Sequence, residues 1–181
     1  MDSQITLVDL ENPVSLLFSS SSLDNTDISF SNDPRRILYT IRSLEPGAVL
    51  HVYNGSTSSI AATLKERVLL PDTITFGEGA FRSKVKVDRW LKKEIARDNN
   101  SFGRSLDLEA GLTVCWKASR QYRLALYDTR NHDRPIAHEA LSSHLLEILV
   151  SFLILERKLR EHERESSVLM AMARPASIST W

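Results

Sequence analysis

The chain has 181 residues with 23 Lys plus Arg against 23 Asp plus Glu, so it carries no formal net charge, and bulk attraction to nucleic acid is excluded as a driving force. A hydrophobic fraction of 42% and a charged fraction of 25% describe an ordinary globular chain of one-domain length, not a disordered one. The single Cys115 excludes an intramolecular disulfide framework, and Met1-Asp2-Ser3-Gln4 lacks the basic-then-apolar character of a secretory signal, so a cytoplasmic protein is expected, with nuclear or peripheral-membrane placement as the variants.

Residues 1–13 read as a polar lead-in closed by Pro13, residues 14–165 as a single β-barrel-like domain with a C-terminal helix, and residues 166–181 as a flexible tail. Val14 to Phe18 is a short apolar run suited to a strand. Ser19 to Ser22 is turn-like, because serine hydroxyls compete with regular backbone pairing. Thr26 to Phe30 alternates, Ser31-Asn32-Asp33-Pro34 supplies a turn, and Arg36 to Arg42 returns with Ile37, Tyr39 and Ile41 on one face. After Pro46-Gly47, Val49 to Tyr53 is a strand ending at Asn54-Gly55, a hairpin turn in which both residues tolerate positive φ. Ser59 to Val68 returns with Ile60, Ala62 and Leu64 alternating, and Leu69 to Phe76 is another extended segment around Pro71. Gly77-Glu78-Gly79 reads as a turn and Ser83 to Val87 as a short strand.

The period changes at Asp88 to Arg97, where Trp90, Leu91, Glu94 and Ile95 fall at helical spacing behind Asp88 as N-cap and predict one short surface helix. Arg104 to Leu108, Leu112 to Ala118 and Tyr122 to Asp128 read as strands, Asp128 to Pro135 as a polar turn, and Ile136 to Glu139 as a last strand. A strand roughly every 10 residues is the rhythm of an antiparallel sandwich or barrel.

Leu141 to Arg164 is the most informative segment. Leu145 to Leu155 is apolar almost all round, whereas Glu156 to Glu165 is almost entirely charged. A helix apolar on every face must be enclosed on every face. The predicted fold is therefore mostly β, an antiparallel barrel or curved sheet enclosing a hydrophobic C-terminal helix. A membrane-spanning helix needs about 20 apolar residues. The run here is shorter and already holds Glu147 and Ser151, so it reads as core and no transmembrane segment is expected.

The order of elements resembles a known family. Leu16 to Ser22, Asn25-Thr26, Ile37 to Ile41, Ile74-Thr75-Phe76, Val85-Lys86-Val87, Trp116-Lys117, Tyr122 to Tyr127 and the helix Leu146 to Arg164 are similar to the fungal family of domains of unknown function number 6593. Asp33-Pro34-Arg35 departs from it, standing where the family has an Asp-x-x-Gly type of turn. The architecture resembles the tubby C-terminal and LURP-one-related group, in which a barrel surrounds a hydrophobic central helix. The family has no assigned reaction.

A catalytic or metal site has no motif behind it. None of His51, His132, His138, His144 and His162 has the His-x-x-x-His spacing that sets two ligands on one helix face. Cys115, between Val114 and Trp116 in a strand, reads as a small buried hydrophobe rather than a nucleophile. Gly77-Glu78-Gly79 lacks the third glycine and the βαβ setting of a dinucleotide loop. The expectation is a non-enzymatic binding or scaffold domain with no cofactor.

Two partner sites compete. Arg82, Lys84, Lys86, Arg89, Lys92 and Lys93 cluster with Phe81 and Trp90 and form a candidate site for an anionic phospholipid, a possibility the tubby-like resemblance raises because some relatives of that fold bind phosphoinositides. The plainer reading is a solvated basic face near Asp88 and Glu94. The alternative is a protein–protein interaction module using a barrel edge or the distal helix, where Leu159, Val168, Leu169 and Met172 extend an apolar stripe.

Overall fold

A computed structural model describes residues 4–7, 14–45, 48–77, 84–93, 103–117, 124–129, 131–135 and 143–172. Eight strands form one antiparallel meander: β1 (Gln4–Leu7), β2 (Val14–Phe18), β3 (Asn25–Phe30), β4 (Asp33–Glu45), β5 (Val49–Asn54), β6 (Ile60–Lys65), β7 (Thr73–Phe76) and β8 (Lys84–Lys86). A one-turn helix α1 (Val87–Trp90) leads into a second, five-stranded meander of β9 (Leu91–Lys93), β10 (Gly103–Asp107), β11 (Thr113–Lys117), β12 (Ala125–Asp128) and β13 (Asn131–Pro135). The long helix α2 (Leu145–Met172) follows.

Alternation decides which face of each strand is buried. In β5, Leu50 and Val52 point inward, and their neighbours Leu64 and Ala62 on β6, then Ile74 and Phe76 on β7, continue the same rows. Register shifts in the β3–β4, β4–β5 and β5–β6 pairings add local bends that curve the sheet. One shift also moves Ile37 off the inner face. It pairs with Ser29 while Tyr39 pairs with Ile28, and Ile37 is left exposed.

α2 fills the space the two sheets define. Every residue from Ile148 to Glu156 is buried, a run that covers all sides of a helix. Phe152 packs against Phe18 of β2 at a ring separation of 5.8 Å and against Trp116 of β11 at 5.9 Å, so one side chain ties both sheets together. Fully burying each such large side chain contributes about 1.5–3 kcal/mol.

Both sheets are open among the described residues, so of the two expected arrangements, barrel or curved sheet, the closed barrel is not formed, and two meanders pack around one helix. α1 directly follows the three-residue β8, and the next strand, β9, belongs to the second sheet.

Other differences have local causes. The lead-in contains β1, which pairs with β2 from Gln4↔Leu17 to Leu7↔Val14. The first hairpin turns at Ser31-Asn32, with Asp33 and Pro34 already in β4. At the second hairpin the positive φ falls on Ser58, not on Asn54 or Gly55. Gly55 is required for another reason: a Cβ there would collide with the Ile37 carbonyl. Where the surface helix was expected, α1 covers Val87–Trp90 with Lys86 as N-cap and Leu91–Lys93 is strand β9, because Leu91 is buried opposite Leu106; residues 94–97 of that expectation lie outside the described residues. The polar turn 128–135 holds β13, paired to β12. α2 runs on to Met172, into the stretch assigned to the tail. The strand expected at 136–139 lies outside the described residues.

Candidate functional site

The basic cluster is partly assembled and partly dispersed. Arg82 lies outside the described residues. Lys84 pairs with Thr75, which pairs with Thr63, which pairs with His51, so these side chains share the outer face of the first sheet. One step along, Lys86 pairs with Thr73, which pairs with Lys65. In the row between them Ile74 and Leu64 are in the core, and Val85, which pairs with Ile74, is half-buried. Lys65, Lys84 and Lys86 are all exposed on one face, and none has an ion-pair partner among the described residues. Strand geometry sets Lys84 and Lys86 roughly 7 Å apart, and two inter-strand steps put Lys65 about 10 Å from Lys86.

Lys65 was missed by sequence reading because it lies far from the run of basic residues at 82–93. The only signal for it was its place at the end of a strand that could pair next to Thr73. His51 records the field. Its imidazole pKa is held below the ordinary value, first by burial and then by the positive charge of Lys65. Its Nδ1 lies 3.1 Å from Thr63 Oγ1.

The remaining cations diverge. Arg89 is exposed on α1 beside exposed Asp88. Lys92 and Lys93 are consecutive on a strand, so they point to opposite faces of the second sheet and do not gather on one helix face. Lys92 Nζ sits 2.5 Å from Asp107 Oδ2, and Thr113 donates to Asp107 Oδ1 at 2.9 Å. These two hydrogen bonds, Lys92's first, hold the Asp107 carboxyl below its ordinary pKa. Lys92 is thus already matched to a carboxylate.

A second charged cluster surrounds the point where α2 leaves the core. Arg157 reaches Asp24 and Glu66, each at 3.4 Å, and Lys158 reaches Asp72 at 3.7 Å. Buried Glu156 accepts from Arg160 Nε at 2.8 Å, and the same guanidinium donates to the Ser21 carbonyl at 2.8 Å. The first charged turn of α2 therefore clamps the helix to the loops of the first sheet, and only from Glu161 onward does the helix become exposed. Burial raises the Glu66 carboxyl above its ordinary pKa, against the opposing pull of Arg157.

Cys115 is fully buried in β11. Among the described residues no group of three His, Cys, Asp or Glu side chains could hold a metal ion, and no helix is long and apolar enough to cross a membrane. No curated protein and no solved structure matches the chain. The model of a family of unknown function, DUF6593, matches residues 21–147, and the chain belongs to that family.

Proposed function

We propose that this domain is a non-catalytic module that binds an anionic phospholipid surface, with Lys65, Lys84 and Lys86 on the outer face of the first sheet as its electrostatic contact. The observation that carries the reading is the alignment of those three cations on adjacent rows of one sheet face, each without a carboxylate partner among the described residues. Arg89 borders the same edge, and Lys93 belongs to the second sheet. The tubby-like resemblance supports the same reading, since some relatives of that fold bind phosphoinositides. A cytoplasmic protein recruited to a membrane surface fits it.

The magnitudes make this a weak attachment. Each basic side chain near an anionic leaflet contributes about 1 kcal/mol and is screened within a Debye length of about 8 Å at physiological salt. Sedimentation with phosphatidylcholine vesicles, with and without phosphatidylserine, tests the reading. Binding that requires the acidic lipid and weakens with salt is expected. Equal sedimentation with both vesicle types, or none with either, removes the proposal.

A second reading rests on α2. The helix presents exposed residues from Glu161 to Glu165 and a shallow depression lined by Arg160, Glu163, Arg164, Ser167 and Val168, a surface suited to a protein partner. Truncation after Glu165 with retained vesicle binding and lost partner capture would favour it.

A further inference from the structure

The loop between β6 and β7 carries an apolar tip that the fold does not cover. Val68 is 100% exposed, Leu69 94% and Leu70 58%, and Pro71 beside them is exposed as well. Three adjacent large apolar side chains in water are unusual where the rest of the core is closed.

Its base is fixed. Glu66 N–H donates to the Ala48 carbonyl at 2.9 Å, Arg67 N–H to Asp72 Oδ1 at 3.1 Å, and Val87 N–H to the Asp72 carbonyl at 2.9 Å. Arg157 and Lys158 of α2 pair with Glu66 and Asp72 on its two sides. The acidic residues of the base are thereby matched, and the apolar tip is held out from an anchored platform.

The charges left around the tip are mainly positive. Thr73, where the loop enters β7, pairs with Lys65 on one side and Lys86 on the other. Arg67 is exposed within the loop, and Arg89 follows on α1, whose first residue bonds to Asp72. Exposed Asp88 and Glu161 oppose them.

We infer that Val68, Leu69 and Leu70 insert into the interfacial region of an anionic bilayer, with Lys65, Arg67 and Lys86 at headgroup level around them. This rests on the lipid-surface reading above and supplies what that reading lacks. A few lysines give only marginal attachment, and stable anchoring takes a second, hydrophobic signal. The stems of lysine and arginine lie along apolar surface while their charges stay in water, so cations around a short apolar tip match the depth profile of an interface.

The test uses Leu69→Cys carrying an environment-sensitive NBD label, with Ser56→Cys at the opposite end of β5 and β6 as the control position. Cys115 is fully buried and does not compete for label in the folded protein. Phosphatidylcholine vesicles containing phosphatidylserine should brighten and blue-shift the label at 69 and leave the label at 56 unchanged. The unlabelled pair Leu69→Ser with Leu70→Ser should weaken partition by about tenfold or more. Sedimentation without a change at position 69 would overturn the insertion and leave the surface reading standing. Neither sedimentation nor a shift would overturn both. A shift without lipid that grows with protein concentration would assign the tip to a second copy of the chain and overturn the insertion.

Discussion

The indole Nε1 of Trp116 donates a hydrogen bond to the Ser151 hydroxyl at 2.8 Å, and that hydroxyl donates in turn to the Ile148 carbonyl at 2.8 Å. Both side chains are buried, so a polar chain runs from the second sheet into the centre of the helix. Each participant is matched to the hydrogen-bonding capacity of the next, the hydroxyl accepting once and donating once.

Ser151→Ala should therefore destabilise the fold by about 1–3 kcal/mol, because it leaves a buried indole N–H without its acceptor. Trp116→Phe removes the same hydrogen bond along with packing volume. In the Trp116→Phe background, Ser151→Ala should cost much less, and urea denaturation of the four proteins in that cycle measures the difference. Additive losses would show that the hydrogen bond contributes nothing of its own.

Charge changes should sort the cations by partner. Neutralising Lys65, Lys84 and Lys86 together as Gln should weaken binding to phosphatidylserine vesicles by about a hundredfold at low salt, taking about 1 kcal/mol per residue. Lys92→Gln should have little effect, since Asp107 already matches that ammonium. Equal losses from the two sets would place the lipid contact elsewhere.

The end of α2 divides at Arg160. Truncation after Glu165 removes none of the ion pairs or side-chain bonds that tie α2 to the first sheet among the described residues, and should leave the urea midpoint close to the full chain's. A chain ending at Leu159 loses the Arg160 bonds to buried Glu156 and to the Ser21 carbonyl, and should lose about 1–3 kcal/mol. A deletion beginning at residue 160 therefore does not separate partner binding from folding, whereas one beginning at 166 does.

Glu66 gives the fold a pH dependence of definite sign. Its folded pKa lies above the ordinary 4.5 because burial disfavours the charged form. In the window between 4.5 and the folded value, the native state holds more of this proton than the unfolded chain does, so this group's contribution to stability falls as pH rises through the window. Glu66→Gln should flatten that slope in thermal melts recorded from pH 4.5 to 7. An unchanged slope would assign the pH dependence to other groups.

The enclosed helix was legible because nine apolar residues among the eleven from Leu145 to Leu155 leave a helix no solvent face, and Ile148 to Glu156 are buried accordingly. The hairpins of β3 to β6 were legible from alternation and dense turn residues. The edges were not. β13, Asn131-His132-Asp133-Arg134-Pro135, has no apolar alternation, and pairing on one side through backbone groups suffices for a terminal strand. At Trp90-Leu91, apolar neighbours fit a helix stripe as well as a strand, and burial of Leu91 against Leu106 decided for the strand. The candidate site suffered in the same way. Sequence proximity joined Lys92 and Lys93 to the patch, while Lys65 could join only through strand order. Val68 to Leu70 read as strand because an apolar run is ordinarily assumed to be inside; its position between Lys65-Glu66-Arg67 and Pro71-Asp72 was the available signal that it caps a loop.

The order of elements along the chain sets a folding requirement. Both sheets precede α2, yet α2 supplies the apolar filling that their inner faces share. During synthesis Ile28, Ile41, Leu50, Ile74 and Val114 emerge before the residues that cover them. The nascent sheets remain unfilled until Leu155 has left the ribosome, and chaperones that shield apolar strands have their longest opportunity to act in that interval.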